Sequence, residues 1–298
     1  MFSDTHCHFS HVASRGLSVA TLISDMLEDK YRLAMDIGTI PGDFAERRSL
    51  IQDACKGEIP SFISFSCGIW PQAKSIKNQA KSLQLLEADI KAMLGRLSTS
   101  SENDATTPLC FAALGECGLD RYWNGTGKKH DEDNEDGPGT DDLDGEEALF
   151  SQQLDMAHKY NLPVIVHSRE AFEPTYSIVK NQNAQNGVIH CFSYEIPEAR
   201  AFLDQGWYIS FPGNITWGKK PVQNERIQSL LSFVPKDRLL LETDAPYLTP
   251  APHRGKINTP WHVRFIYEKA AEFLGMETAA LAELVFVNAE KLFGVTTK

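Results

Sequence analysis

Eight times along the chain, a short apolar run bounded by turn residues is followed by an amphipathic stretch of helical period. The runs are "FSDTH", "YRLAMDIG", "SFISFSCG", "LCFAALGE", "LPVIVHS", "GVIHCFS", "GWYISF" and "RLLLETD". The stretches between them include "GLSVATLISDMLED" and a longer one in which Ile76, Ala80, Leu83, Leu86, Ile90 and Leu94 recur every three or four residues. Such a pattern leaves few folds open. Near-continuous apolar strands must be covered on both faces, and crossover helices do the covering. Eight strands alternating with helices predict the α/β class and a (β/α)8 TIM barrel. Two further helices, around Trp261–Leu274 and Thr278–Leu292, close the chain. A doubly wound open sheet would carry fewer strands and often a Gly-rich phosphate turn. G-x-G-x-x-G does not occur, and neither does the full phosphate-loop pattern G-x-x-x-x-G-K-[ST], since Gly213–Lys219 is followed by Lys220. Residues 1–298 therefore read as a single domain.

Two segments interrupt the rhythm. "STSSENDATTP" (Ser98–Pro108) is polar and linker-like. Asn124–Gly145 is rich in Gly and Asp and carries a local charge of −6, from eight acidic residues and two lysines. Both are expected to be exposed loops, the second partly disordered. The strand–helix alternation resumes after each, so neither marks a domain boundary.

The polar residues of the strands are concentrated at one end. Run one ends at His6 and His8, run four at Glu116, run five at His167, run six at His190 and run eight at Asp244. These are C-terminal strand ends, the face on which barrel enzymes build their sites. His6 and His8 are two apart, so an extended backbone aims both imidazoles the same way. Four imidazoles and two carboxylates on one rim predict a metal centre. Six protein ligands exceed what one hydrolytic metal takes, so two divalent ions sharing a carboxylate and a water fit better. Imidazole with carboxylate suits Zn, Mn or Fe; Mg suits less well but is compatible with a shared carboxylate. Asp244 or Glu116 is placed to take a proton from water.

The net charge of −11 argues against a broad basic nucleic-acid surface, so any such contact must be local and metal-assisted. The six cysteines are scattered without a C-x-x-C pair, which suits reduced, packed thiols in a cytoplasmic setting. No run of eighteen apolar residues and no secretory pattern at Met1–Asp4 is present, so no membrane association is expected. Nothing in the chain calls for an obligate protein partner.

"DTHCH", "GECGLDRYW", "LPVIVHSREA", "GVIHCFS", "LLLETDAPYLTP" and "APHRGKINTP" resemble, in order and across nearly the whole chain, the signatures of the TatD-type metal-dependent deoxyribonucleases. The resemblance implies hydrolysis of DNA phosphodiesters, with 3′–5′ exonuclease action. It implies that His6, His8 and Asp244 hold one metal, that Glu116 bridges, and that His167 and His190 hold the second. Arg169 and Arg254 become candidates for phosphate contact, while His11 and His253 stay outside the metal shell. The chain departs from the family in two places. "GIWP" puts Trp70 where members usually carry a His, leaving base stacking or packing for the indole. The acidic insert follows "GLDRYW" on the active-site face, where an ordered loop would repel a polyanion. The same centre also suits a deacylase or amidohydrolase acting on esters or amides, aminoacyl-tRNA included.

Overall fold

In a computed structural model, which describes residues 1–97, 110–126 and 139–295, eight parallel strands follow one another around a barrel in chain order. They are β1 (Ser3–Cys7), β2 (Leu33–Asp36), β3 (Ile63–Cys67), β4 (Cys110–Asp120), β5 (Val164–Arg169), β6 (Gly187–Ile189), β7 (Tyr208–Phe211) and β8 (Leu239–Leu241). Helices connect successive strands, as the alternation predicts. β1, β2, β3, β6, β7 and β8 are buried at every residue. That is why "LLL" reads as a continuous apolar run rather than an alternating one: a barrel strand has core on both sides. A ninth strand, β9 (Gly294–Val295), pairs antiparallel with the start of β4 and ties the last helix, Thr278–Phe293, to the barrel.

The barrel closes just beyond β8. Cys7 and Ala245 form a parallel bridge, His8 N–H donates to the Ala245 carbonyl at 2.9 Å, and Asp244 N–H donates to the His6 carbonyl at 2.9 Å. A buried carboxylate reinforces the seam. Asp4 of β1 accepts from Thr243 N–H at 2.9 Å and from the Thr243 hydroxyl at 2.6 Å. Burial raises the Asp4 carboxyl to about 8 despite those two hydrogen bonds.

Helix starts follow local chemistry. Ile196–Asp204 begins at a reciprocal capping box between Glu195 and Glu198, with Pro197 in its first turn. Leu143–Tyr160 begins where the Asp142 side chain accepts from Gly145 N–H, and ends at Asn161 in the left-handed region, φ 51°. The long helix expected after β3 is two: Ala73–Lys77 and Gln79–Leu97, separated at Asn78, whose side chain turns back to the Lys74 carbonyl. A side-chain amide that caps the preceding carbonyl offers the chain an alternative to continuing the helix.

The acidic stretch needs a correction at its ends. Asn124 is buried, and Leu143–Gly145 is the first turn of a helix. Gly125 N–H donates to the Thr140 carbonyl at 2.8 Å, and Thr140 N–H donates to the Asn124 side chain at 2.9 Å. The two ends thus form a closed neck; residues 127–138, like Ser98–Pro108, lie outside the described residues. Among the described residues no helix is long and apolar enough to cross a membrane, and Cys7, Cys55, Cys67, Cys117 and Cys191 are free thiols.

Candidate metal centre

The six residues singled out at the strand ends converge. His6 Nε2 and His8 Nε2 are 3.2 Å apart. His6 Nε2 lies 3.2 Å from Glu116 Oε2 and 3.7 Å from Asp244 Oδ1; His8 Nε2 lies 3.8 and 3.5 Å from the same two oxygens. On the other side, Glu116 Oε1 lies 2.8 Å from His167 Nδ1 and 2.9 Å from His190 Nε2, which are 3.2 Å from each other. Glu116 therefore shows one oxygen to each of two donor groups.

Two irregularities aim these side chains. The register of β1 against β2 shifts between Asp4 and Cys7, the interval that contains His6. The register of β4 against β5 shifts between Leu114 and Cys117, and Glu116 N–H donates instead to the Gly38 carbonyl at 2.8 Å. A bulge re-aims a side chain where a regular strand would not. His8 lies one residue past β1, but its backbone is still extended (φ −123°, ψ 93°), so it keeps the alternation with His6.

The donor atoms fit cations. Ligand atoms at ~2.0–2.2 Å from a common ion are themselves about 3–3.5 Å apart; the donors here lie 3.2 to 3.8 Å apart in the first group and 2.8 to 3.2 Å apart in the second. The outer ring nitrogens are also arranged to leave the inner ones bare. His8 Nδ1 lies 3.3 Å from the Ile37 carbonyl, and His167 Nε2 lies 2.9 Å from Asp120 Oδ2. An N–H donated outward puts the lone pair on the nitrogen facing the site. Glu242 plays a related part behind His190: it lies 3.5 Å from Nδ1 and is itself held by Ser210 and by Cys191 N–H, each at 2.6 Å.

Charge divides the centre in two. Burial lowers His6, with His190 adding to the effect, and burial lowers His8 to about 4, so both stay neutral. Burial also opposes charge on His167 and His190, but the surrounding carboxylates prevail. Asp120 and Glu116 raise His167 to about 9; Glu116 and Glu242 raise His190 well above its ordinary value. Burial raises Asp244 to about 6, against the pull of His6 and His190.

A cavity of about 430 Å³ opens over the centre, lined among others by His8, Glu116, His167, His190 and Asp244. Trp70 lines it too, its ring edge-on to His167 at 5.8 Å between centroids. Arg169 is exposed on the same cavity, its guanidinium 3.8 Å from the Tyr122 ring. Arg254 is placed differently: it stacks 4.2 Å from the Trp217 ring and is not among the residues lining the cavity. Asp120 and Glu242 are missed by reading strand ends. β4 runs past Glu116 to Asp120, and Glu242 sits two residues before Asp244 in "LETD". His11 also borders the cavity, stacked on His8 with centroids 4.8 Å apart and hydrogen-bonded to Tyr247 at 3.3 Å.

The family model of TatD-related DNases matches residues 3–294. The chain is 31% identical over 303 residues to the uncharacterized metal-dependent hydrolase YcfH of Escherichia coli (strain K12), covering 98% of this chain and 95% of that protein. It is 35% identical over 187 residues to the uncharacterized metal-dependent hydrolase YabD of Bacillus subtilis (strain 168), covering 61% of this chain and 65% of that protein. The 3′-5′ ssDNA/RNA exonuclease TatD of Erwinia tasmaniensis is 32% identical over 191 residues, 62% of this chain and 67% of that one. Among solved structures, YJJV, a TatD homolog from Escherichia coli k12, superposes with a TM-score of 0.66 at 23% identity, covering 99% of this chain and 98% of that one, a likeness of fold.

Proposed function

The chain belongs to the TatD family of metal-dependent hydrolases, and on that premise we propose that it cleaves DNA phosphodiester bonds from the 3′ end with water as the attacking group. The observation that carries this reading is the divided carboxylate of Glu116, with His6 and His8 near one oxygen and His167 and His190 near the other. In this proposal His6, His8 and Asp244 would hold one divalent cation, His167 and His190 would hold a second, and Glu116 would be available to both. Two such cations, when bound, bring the pKa of water toward neutrality and offset charge on a phosphate in in-line displacement. Zn, Mn and Mg are all compatible with the donor set.

The side chains then have separate tasks. Both carboxylates line the cavity; Glu116 is engaged by four imidazoles, and Asp244, less enclosed by them, accepts the proton of the attacking water. As water bonds to phosphorus, the bond from phosphorus to the 3′-oxygen breaks, and that oxygen takes a proton from solvent to become the hydroxyl of the shortened strand. Arg169, exposed on the cavity, meets a phosphate oxygen with its guanidinium. Arg254, stacked on Trp217, is not among the residues lining the cavity and is given no such task. The name of the Erwinia tasmaniensis relative supports a single-stranded nucleic acid as substrate.

The test is a panel on metal-stripped protein resupplied with Mg, Mn or Zn. Substrates are 5′-labelled single-stranded DNA, duplex DNA, aminoacyl-tRNA and small esters. A ladder shortening from the 3′ end only with metal is the expected result. Cleavage of aminoacyl-tRNA or esters with no shortening of DNA would assign a deacylase instead.

A further inference from the structure

Two indoles line the cavity above the proposed metal centre, Trp70 and Trp123. Both are half-buried, and they come from different loops, one after β3 and one after β4. The loops are latched to each other at the residues that follow the indoles. Asn124 Nδ2 donates to the Pro71 carbonyl at 2.9 Å and to Glu146 Oε1 at 2.7 Å. Asn124 and Glu146 are both buried, and Arg121 Nη1 pairs with the second Glu146 oxygen at 2.8 Å.

Each indole's own backbone is also fixed. Buried Gln153 grips Ile69 twice, accepting from its N–H at 2.8 Å and donating to its carbonyl at 3.0 Å. Trp70 N–H donates to the Thr39 carbonyl at 3.0 Å. Trp123 N–H donates to Asp120 Oδ1 at 3.1 Å, and the other oxygen of that carboxylate holds His167. The aromatic rim and a proposed metal ligand thus share one buried carboxylate.

Two indoles held by their backbones thus border a cavity with a charged floor, and the Arg169 cation stands on Tyr122 at the same cavity. A half-buried indole beside a polar cavity gains most from an aromatic ligand that covers its remaining face, and every nucleobase offers such a face. We infer that Trp70 and Trp123 receive the base of the 3′-terminal nucleotide while its phosphate sits over Glu116 and Asp244, so that base stacking sets substrate affinity. The inference rests on the nuclease reading above and adds to it what the enzyme grips besides phosphate. Neither indole is a catalytic residue in it; their effect falls on KM.

The experiment compares two oligonucleotides, one ending in an ordinary 3′ nucleotide and one whose 3′ nucleotide lacks its base. With wild-type protein and metal, KM for the base-free end is expected to be about ten-fold higher, within the range that base–aromatic stacking supplies. Trp70→Ala should raise KM for the ordinary end by a similar factor, leave kcat within about two-fold, and leave the base-free end unchanged. Trp70→Phe, which keeps a ring, should fall between. Equal KM for the two ends in wild-type protein overturns the inference with no variant needed, as does a Trp70→Ala loss that is the same for both ends. Either result leaves wild-type shortening of DNA, and with it the nuclease reading, intact. Failure of wild-type protein to shorten any oligonucleotide overturns both.

Discussion

Asp244 N–H donates to the carbonyl of His6 across the seam where the barrel closes, at 2.9 Å. The same two residues face each other through their side chains at 3.7 Å. The proposed centre is therefore complete only when the last strand has docked on the first. Asp244 reaches this position with φ at 54°, a left-handed conformation that Asp tolerates better than most residues. Asp244→Asn keeps the size, the backbone bond and that tolerance while removing the carboxylate. Turnover is expected to fall about a hundred-fold or more, the scale of a lost general base, with the thermal midpoint little changed. Parallel kcat and melting measurements check this; a melting loss as deep as the activity loss would make the side chain structural.

Asp120 is expected to act through His167. Its Oδ2 holds the outer ring nitrogen, and its Oδ1 accepts from Tyr122 and Trp123 N–H at 3.0 and 3.1 Å. Asp120→Ala frees the imidazole to rotate. Loss of such an orienting carboxylate costs about 10- to 100-fold in metal affinity. Titration of the apoprotein with a divalent metal should show one class of site weakened by that factor, and an unchanged isotherm would remove Asp120 from this part.

Away from the centre, Arg47 is buried and paired with Asp36 at 2.5 Å and Asp43 at 3.0 Å, and it donates to the Ser66 carbonyl at 2.7 Å. It joins the end of β2 to β3. Burial raises the Asp36 carboxyl even beside that guanidinium. Arg47→Met would leave Asp36 buried without its counter-charge, a change that costs about 3–5 kcal/mol. Urea unfolding should show this loss, and adding Asp36→Asn should restore part of it. No recovery in the double variant would place the cost in packing instead.

Excising residues 127–138 and joining the neck with a short glycine linker should leave the melting temperature unchanged. Asn124 and Thr140 keep their hydrogen bonds in that variant. The excised sequence holds five acidic residues and two lysines, a charge of −3. The neck closely follows Trp123 of the cavity, and removing this charge should lower KM for an oligonucleotide at low salt. At physiological ionic strength screening acts over about 8 Å, and the difference should fade as salt rises. A salt-independent change would mean that the segment acts by shape.

The barrel is legible in the sequence because the strand–helix alternation is regular and the histidines and carboxylates of five runs gather at their C-terminal ends. All six proposed ligands follow from that one regularity. What escapes it has no period. Asp120 matters because of what it holds, and it lies beyond the expected end of β4, past the irregularity at Glu116. Glu242 is hidden by its neighbour Asp244. Arg254 sits in the stretch "APHRGKINTP", and its stacking on Trp217 depends on how two loops meet, which pattern alone does not encode. The ends of the acidic stretch look like loop by composition, yet Asn124 is buried because one amide side chain satisfies two buried acceptors.

The neck at Gly125 and Thr140 also bears on how a sequence of this kind can diversify. Between two points already joined by hydrogen bonds, added chain costs only its closure entropy, about 0.6 kcal/mol for each doubling of length. The neck shields the barrel from whatever is inserted above it. Insertions at this place on the rim are thus nearly neutral for folding while lying next to the cavity mouth, so selection on substrate range can act there without first having to preserve the fold.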